Sequence, residues 1–197
     1  MPQEPAPTRE RLIAAMTDAL QRRGLHGVGL AELLQVAQAP KGVLYHHFPG
    51  GKTELAVAAI DAVVAHIDAS LQRLQQRPGT ALDALRQWLT QAGQHLQRSG
   101  FERGCPLATV ALESTPQDEA IRAAVARGFA LLRERLAQVL VQAGVNAARA
   151  PGLAALVVSA YEGALMQARV AGDTQALRAT VETLLAVVAQ DIESPKP

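Results

Sequence analysis

Ala37-Gln-Ala-Pro-Lys-Gly-Val-Leu-Tyr-His-His-Phe-Pro-Gly-Gly-Lys52 decides the fold, because it reads as a short helix built to be touched from outside. Pro40 suits the first position of a helix, where its missing N–H is not needed. Lys41 falls in the first turn, where an ammonium and free helix N–H groups together attract phosphate. Gly42 costs about 1 kcal/mol of helix stability relative to alanine, a loss that close backbone approach to a partner would explain. Val43 and His46 share one face with His47 beside them, while Leu44 and Phe48 fall on another and anchor the helix in a core. Tyr45 can place its hydroxyl on a phosphate oxygen, and Lys52 opens the next helix where it could clamp the same backbone from the side. Adjacent histidines on a helix point about 100° apart and no third ligand stands at a fitting spacing, so a metal site is not expected.

Outward from this run the chain reads as all-α. Met1–Pro7 carries three prolines and is expected to be a disordered lead-in. Thr8 is placed to cap a first helix with Leu12, Ile13, Met16 and Leu20 at helical spacing, ending at Gly24. A short second helix is expected over residues 30–37, with Leu30, Leu33 and Leu34 inward. The break at Gln38-Ala39 then gives the spacing of a helix-turn-helix at about residues 29–48, inside a DNA-binding domain of residues 8–53. Beyond it, apolar periodicity predicts helices from Lys52 to about Gln76, from Thr80 to Gln97, one ending at Glu113, one opened by Thr115-Pro116 and stopped at Gly144, one over residues 149–171, and a last one after Gly172-Asp173. Arg77-Pro78-Gly79 breaks the first of these.

Composition sets the outer bounds. Of 197 residues, 49% are apolar but only 3% aromatic, so the core must be made of Ala, Leu and Val in close helix contacts. Net charge is +1 and by itself excludes nothing, although residues 1–53 hold six Lys/Arg against four Asp/Glu and three of the five histidines. The longest run without a charged residue, Leu136 to Ala148, is too short for a bilayer-spanning helix. No signal-like segment and a single cysteine lead to the expectation of a cytoplasmic protein without a disulfide framework, cofactor or membrane partner. No nucleophile–base constellation or cofactor fingerprint stands in the sequence, so no catalytic residues are assigned.

Thr8-Arg-Glu-Arg-Leu-Ile13, the Gly24 turn and above all Lys41-Gly-Val-Leu-Tyr-His-His-Phe-Pro-Gly-Gly-Lys-Thr-Glu-Leu55 resemble the DNA-binding domain of TetR/AcrR-family transcriptional regulators. The double glycine before Lys52 and Gly104-Cys-Pro-Leu107 leading to Ala111-Leu-Glu113 are similar to the LmrA/YxaF-like subgroup, and Tyr161-Glu-Gly-Ala-Leu165 resembles the family's penultimate helix. The resemblance implies a regulator, expected to be a repressor, that a small apolar or amphipathic effector releases from a palindromic operator on double-stranded DNA. The alternative is a helical ligand-binding protein that does not read DNA, since Val28 and Gly29 stand where many family members carry hydroxyl residues that cap the second helix and touch a phosphate. The DNA-binding set is then Lys41, Gly42, Val43, Tyr45, His46, His47 and Lys52, with Arg9 as a further phosphate contact.

The resemblance further implies that residues 54–193 form a six-helix effector-binding and dimerisation domain. Independently, the 149–171 helix is apolar around much of its circumference and should pack on two sides. Leu156 and Gly163 from it, with Leu177, Val181 and Leu184 from the last helix, are the expected homodimer contacts of a four-helix bundle. Trp88, Cys105, Glu113, Phe129, Tyr161 and Met166 are the candidate effector residues, being large, polarizable or charged groups amid Ala/Leu helices; such a residue alone is more often plain core, and the acid could equally be solvent-facing. Glu162 is a second acid in apolar surroundings that could meet a cationic or hydroxylated ligand.

Overall fold

The computed structural model describes residues 6–75 and 80–193. Among them the chain forms only helices: α1 (Thr8–Arg23), α2 (Leu30–Val36), α3 (Lys41–His47), α4 (Gly51–Gln75), α5 (Ala81–Arg98), α6 (Pro106–Glu113), α7 (Glu119–Gln142), α8 (Ala150–Ala171) and α9 (Gln175–Glu193). The Arg77-Pro78-Gly79 break and most of the proline-rich lead-in fall outside the described residues.

Most helix ends depart from expectation by a residue or two, and the start of α7 by three, for local reasons. Pro7 rather than Thr8 precedes α1, its carbonyl accepting from Arg11 N at 3.1 Å, so Thr8 is the first helical residue and caps nothing. Pro40 stands one residue before α3, extended at φ −66° and ψ 150°, and its carbonyl accepts the first helical bonds from Val43 N and Leu44 N. Asp118 turns back to accept from Thr115 N at 2.9 Å and Thr115 Oγ1 at 2.8 Å, so regular helix begins only at Glu119. Those bonds hold the Asp118 carboxyl below the usual carboxylate range. Thr80 stands just before α5 and caps it, accepting from Asp83 N.

The helices sort into two compact units that interleave along the chain. The first takes residues up to Val63 together with Pro106–Gly128; the second takes Val64–Cys105 and the residues from Phe129 on. A division at residues 53–54 misses this because α6, remote in sequence, packs on α1. In the first unit Leu12, Met16 and Leu20 of α1, Leu33 of α2, Leu44 of α3 and Leu55 and Ile60 of α4 are buried. In the second, Leu85, Leu89 and Leu96 of α5 meet Leu132, Leu136 and Leu140 of α7 and the buried faces of α8 and α9 in one core. Gly93 lets α9 close on α5: a Cβ there would stand 2.7 Å from Leu177 Cδ2.

Candidate functional site

The opening run is divided by burial as its spacing predicts. Leu44 and Phe48 are inside, Val43 and His47 are half-buried, and Lys41, Gly42, Tyr45 and His46 are exposed. Nothing lies within 4 Å of where a Gly42 Cβ would be, so the backbone of the first turn is open to a close approach. Arg9 stacks over the Phe48 ring with its guanidinium carbon 5.4 Å from the centroid, which places an exposed cation beside α3. The turn before α3 is held from α1. Arg11 Nε donates to Ala37 O at 3.1 Å and Arg11 Nη2 to Gln38 O at 3.3 Å, and Gln38 takes a left-handed φ of 50°. Arg11 carries no local signal of that role; its acceptors are 26 and 27 residues away.

Two assignments are redrawn by hydrogen bonding. Lys52, expected as a phosphate clamp, donates through Nζ to Leu25 O at 2.6 Å and Val28 O at 2.7 Å. With two of its three N–H donors so engaged, it braces the α1–α2 turn rather than facing outward. Burial pushes its ammonium below the usual lysine value, and the Glu113 carboxylate nearby opposes that shift. Glu113, expected among the effector residues, accepts from Leu25 N at 2.5 Å and His26 N at 3.3 Å. It therefore ends α6 as a fixed anion under the same turn, which removes it from the effector set. Gly24 makes room for it: at φ 75° and ψ −171°, a Cβ there would stand 2.0 Å from Glu113 Oε1. Gly29 caps α2 without any side-chain bond, and Val28 is core.

Within the second unit, Trp88, Cys105, Phe129 and Tyr161 all belong to, or pack against, the buried core. Trp88 Nε1 donates to Ser70 Oγ at 3.0 Å, and its ring centroid lies 6.1 Å from that of Tyr161. Tyr161 brings Glu162 with it. Burial drives both groups up from their ordinary values, and a hydrogen bond from Cys105 partly offsets the rise at Glu162. Met166 is 45% exposed on α8. Leu177, Val181 and Leu184 depart from the candidate dimer set, at 3%, 5% and 5% exposure inside a single chain. A residue already buried against α5 and α8 has no surface left for a second copy. Leu156 and Gly163 remain outward or half-open, and with Met166 and Val170 they follow one stripe of α8. No group of three metal-ligating side chains stands together among the described residues, and no helix there is long and apolar enough to cross a membrane.

Comparison with known proteins gives two family matches. Residues 12–59 match the bacterial regulatory proteins of the tetR family, and residues 81–183 match the C-terminal domain of LmrA/YxaF-like transcriptional regulators. An uncharacterized HTH-type transcriptional regulator of Mycobacterium tuberculosis is 32% identical over 170 residues, covering 84% of this chain and 86% of the relative. The HTH-type transcriptional regulator LmrA of Bacillus subtilis is 26% identical over 159 residues, covering 81% and 85%. Among solved structures, regulatory protein TetR from Rhodobacter sphaeroides superposes with a TM-score of 0.82 at 27% identity, over 91% of this chain and 97% of that one. The reduced form of NemR from Escherichia coli superposes with a TM-score of 0.80 at 25% identity, over 90% and 94%.

Proposed function

The chain belongs to the TetR family of transcriptional regulators, with an LmrA/YxaF-like C-terminal domain, and from that premise we propose that it is a homodimeric repressor which a small amphipathic ligand releases from a palindromic operator. The observation that carries the reading is the face of α3: an exposed Lys41, Gly42, Tyr45 and His46 backed by a buried Leu44 and Phe48. Lys41 and Tyr45 serve as phosphate contacts with Arg9 beside them, and Val43 and His46, flanked by His47, read base edges in the major groove. Lys52 acts from behind, by holding the turn that presents α2 and α3. One α3 reads too few base pairs for a specific site, so a second copy related by a two-fold axis supplies the other half-site. The stripe of exposed Leu156, Met166 and Val170 on α8, with half-buried Gly163 among them, is the surface offered for that pairing. Release follows as population shift: ligand favours dimers whose two α3 helices no longer match successive grooves.

Salt-dependent binding tests the phosphate role directly. Lys41→Ala is expected to weaken binding to specific and random duplexes alike, and to lower the slope of log affinity against log salt by about one unit. A loss confined to one base position would instead make Lys41 a base reader. The pairing surface is tested by Leu156→Asp, expected to turn dimer into monomer in sedimentation while the helical content holds. Unchanged mass would place the interface elsewhere.

A further inference from the structure

Among the described residues, the second unit buries two polar atoms that no protein group satisfies. Tyr161 Oη and Glu162 Oε2, on successive residues of α8, have no hydrogen-bond partner, and Tyr161 is only 5% exposed. Leaving such an atom unpaired away from water destabilises the fold, and phenylalanine or leucine at these positions would avoid that cost. Neighbouring polar groups do not fill the need. The Cys105 thiol bonds the Glu162 carboxyl, and the Trp88 N–H is held by Ser70 Oγ. What remains is a carboxylate oxygen, a phenol oxygen and two aromatic rings with centroids 6.1 Å apart, set against the apolar core.

The chemistry of that set selects its ligand. A carboxylate facing apolar walls repels anions, and an ordinary alcohol brings no charge to stabilise its ionised form. A primary ammonium carries N–H donors enough for both oxygens, supplies the opposite charge to a carboxylate, and is attracted by the faces of Trp88 and Tyr161. Burial pushes the Glu162 carboxyl above its usual range, which disfavours its charged form, and a cation beside it would favour that form again. We propose that Tyr161 and Glu162, with Cys105 positioning the carboxyl and Trp88 forming the aromatic wall, are a binding site for a protonated amine carried on an apolar body. This names the ligand class for the effector of the repressor reading and rests on it only for the consequence at DNA, not for binding itself.

The test uses the full-length protein without DNA and three probes of one shape: 4-phenylbutylamine, 4-phenylbutanol and 4-phenylbutanoate, titrated by calorimetry. The amine is expected to bind at least tenfold more tightly than the alcohol, and the carboxylate not measurably. Glu162→Gln, an isosteric change that keeps the fold by circular dichroism, should remove the amine's advantage and leave alcohol binding within about twofold, since a charged hydrogen bond is what is lost. Tyr161→Phe should weaken the amine several-fold with the carboxyl intact. Equal binding of amine and alcohol, an amine preference that survives Glu162→Gln, or no binding of the amine would each overturn the proposal. Failure at this step with operator binding intact removes only the ligand class. Amine binding in a protein that ignores DNA would sink the repressor reading and leave the site standing.

Discussion

Phe48→Ala is expected to destabilise the DNA-binding helices by about 3–5 kcal/mol, the range for truncating a large buried aromatic. Phe48 is 2% exposed, closes the C-terminal end of α3, and meets the His47 ring edge-on at 6.5 Å. Its loss opens a cavity under the helix and takes away the ring on which the Arg9 guanidinium rests. The change is therefore expected to appear twice. Thermal unfolding should shift well below that of the parent protein, and operator affinity should fall even at temperatures where most of the chain remains helical. Phe48→Leu, which keeps most of the apolar volume, should recover the greater part of the stability. A Phe48→Ala protein that melts with the parent and binds DNA normally would mean that α3 is not held from below as described.

Gly24→Ala is the second large effect, and its mechanism is different. The backbone at Gly24 lies in a region that is almost closed to residues with a Cβ, at a cost of roughly 1–3 kcal/mol. The added methyl would also overlap the Glu113 carboxylate, and would expel it from Leu25 N and His26 N. Losing a charged hydrogen bond of that kind costs about 1.5–3 kcal/mol more. Since stability of a domain is about 5–15 kcal/mol, the variant should be close to unfolding. Combining it with Glu113→Ala separates the two parts. The clash and the lost bond are then counted once, so the double variant should be more stable than the sum of the single changes implies. Strict additivity would show that Gly24 and Glu113 do not share one lock.

Much of the fold was legible because it is written in short-range pattern. The four-residue spacing of Leu12, Met16 and Leu20 and the alternation of anchors and exposed groups in α3 involve neighbours within one or two turns. The candidate site was legible only where the same held. Glu113 and Leu25 stand 88 residues apart, and no periodicity connects them, so the acid looked like a ligand contact and Lys52 like a phosphate clamp. The last helix misled for a related reason. Leu177, Val181 and Leu184 form a clean apolar face, but a face says only that something covers it, and here α5 and α8 of the same chain do so. The Tyr161–Glu162 pair shows the limit from the other side. Sequence marked two polar groups in an apolar helix, and only three-dimensional placement shows that they lack partners.

The central claim is that α3 holds a specific duplex as one half of a symmetric dimer. It is tested most directly by fluorescence anisotropy of the full-length protein on the DNA upstream of its own gene, with a shuffled duplex of equal length as competitor, across a series of salt concentrations. The account predicts saturation at two chains per specific site, preference over the shuffled duplex by about a thousandfold or more, and affinity that falls steeply as salt rises. Equal affinity for both duplexes, or no salt-sensitive binding at all, would contradict it.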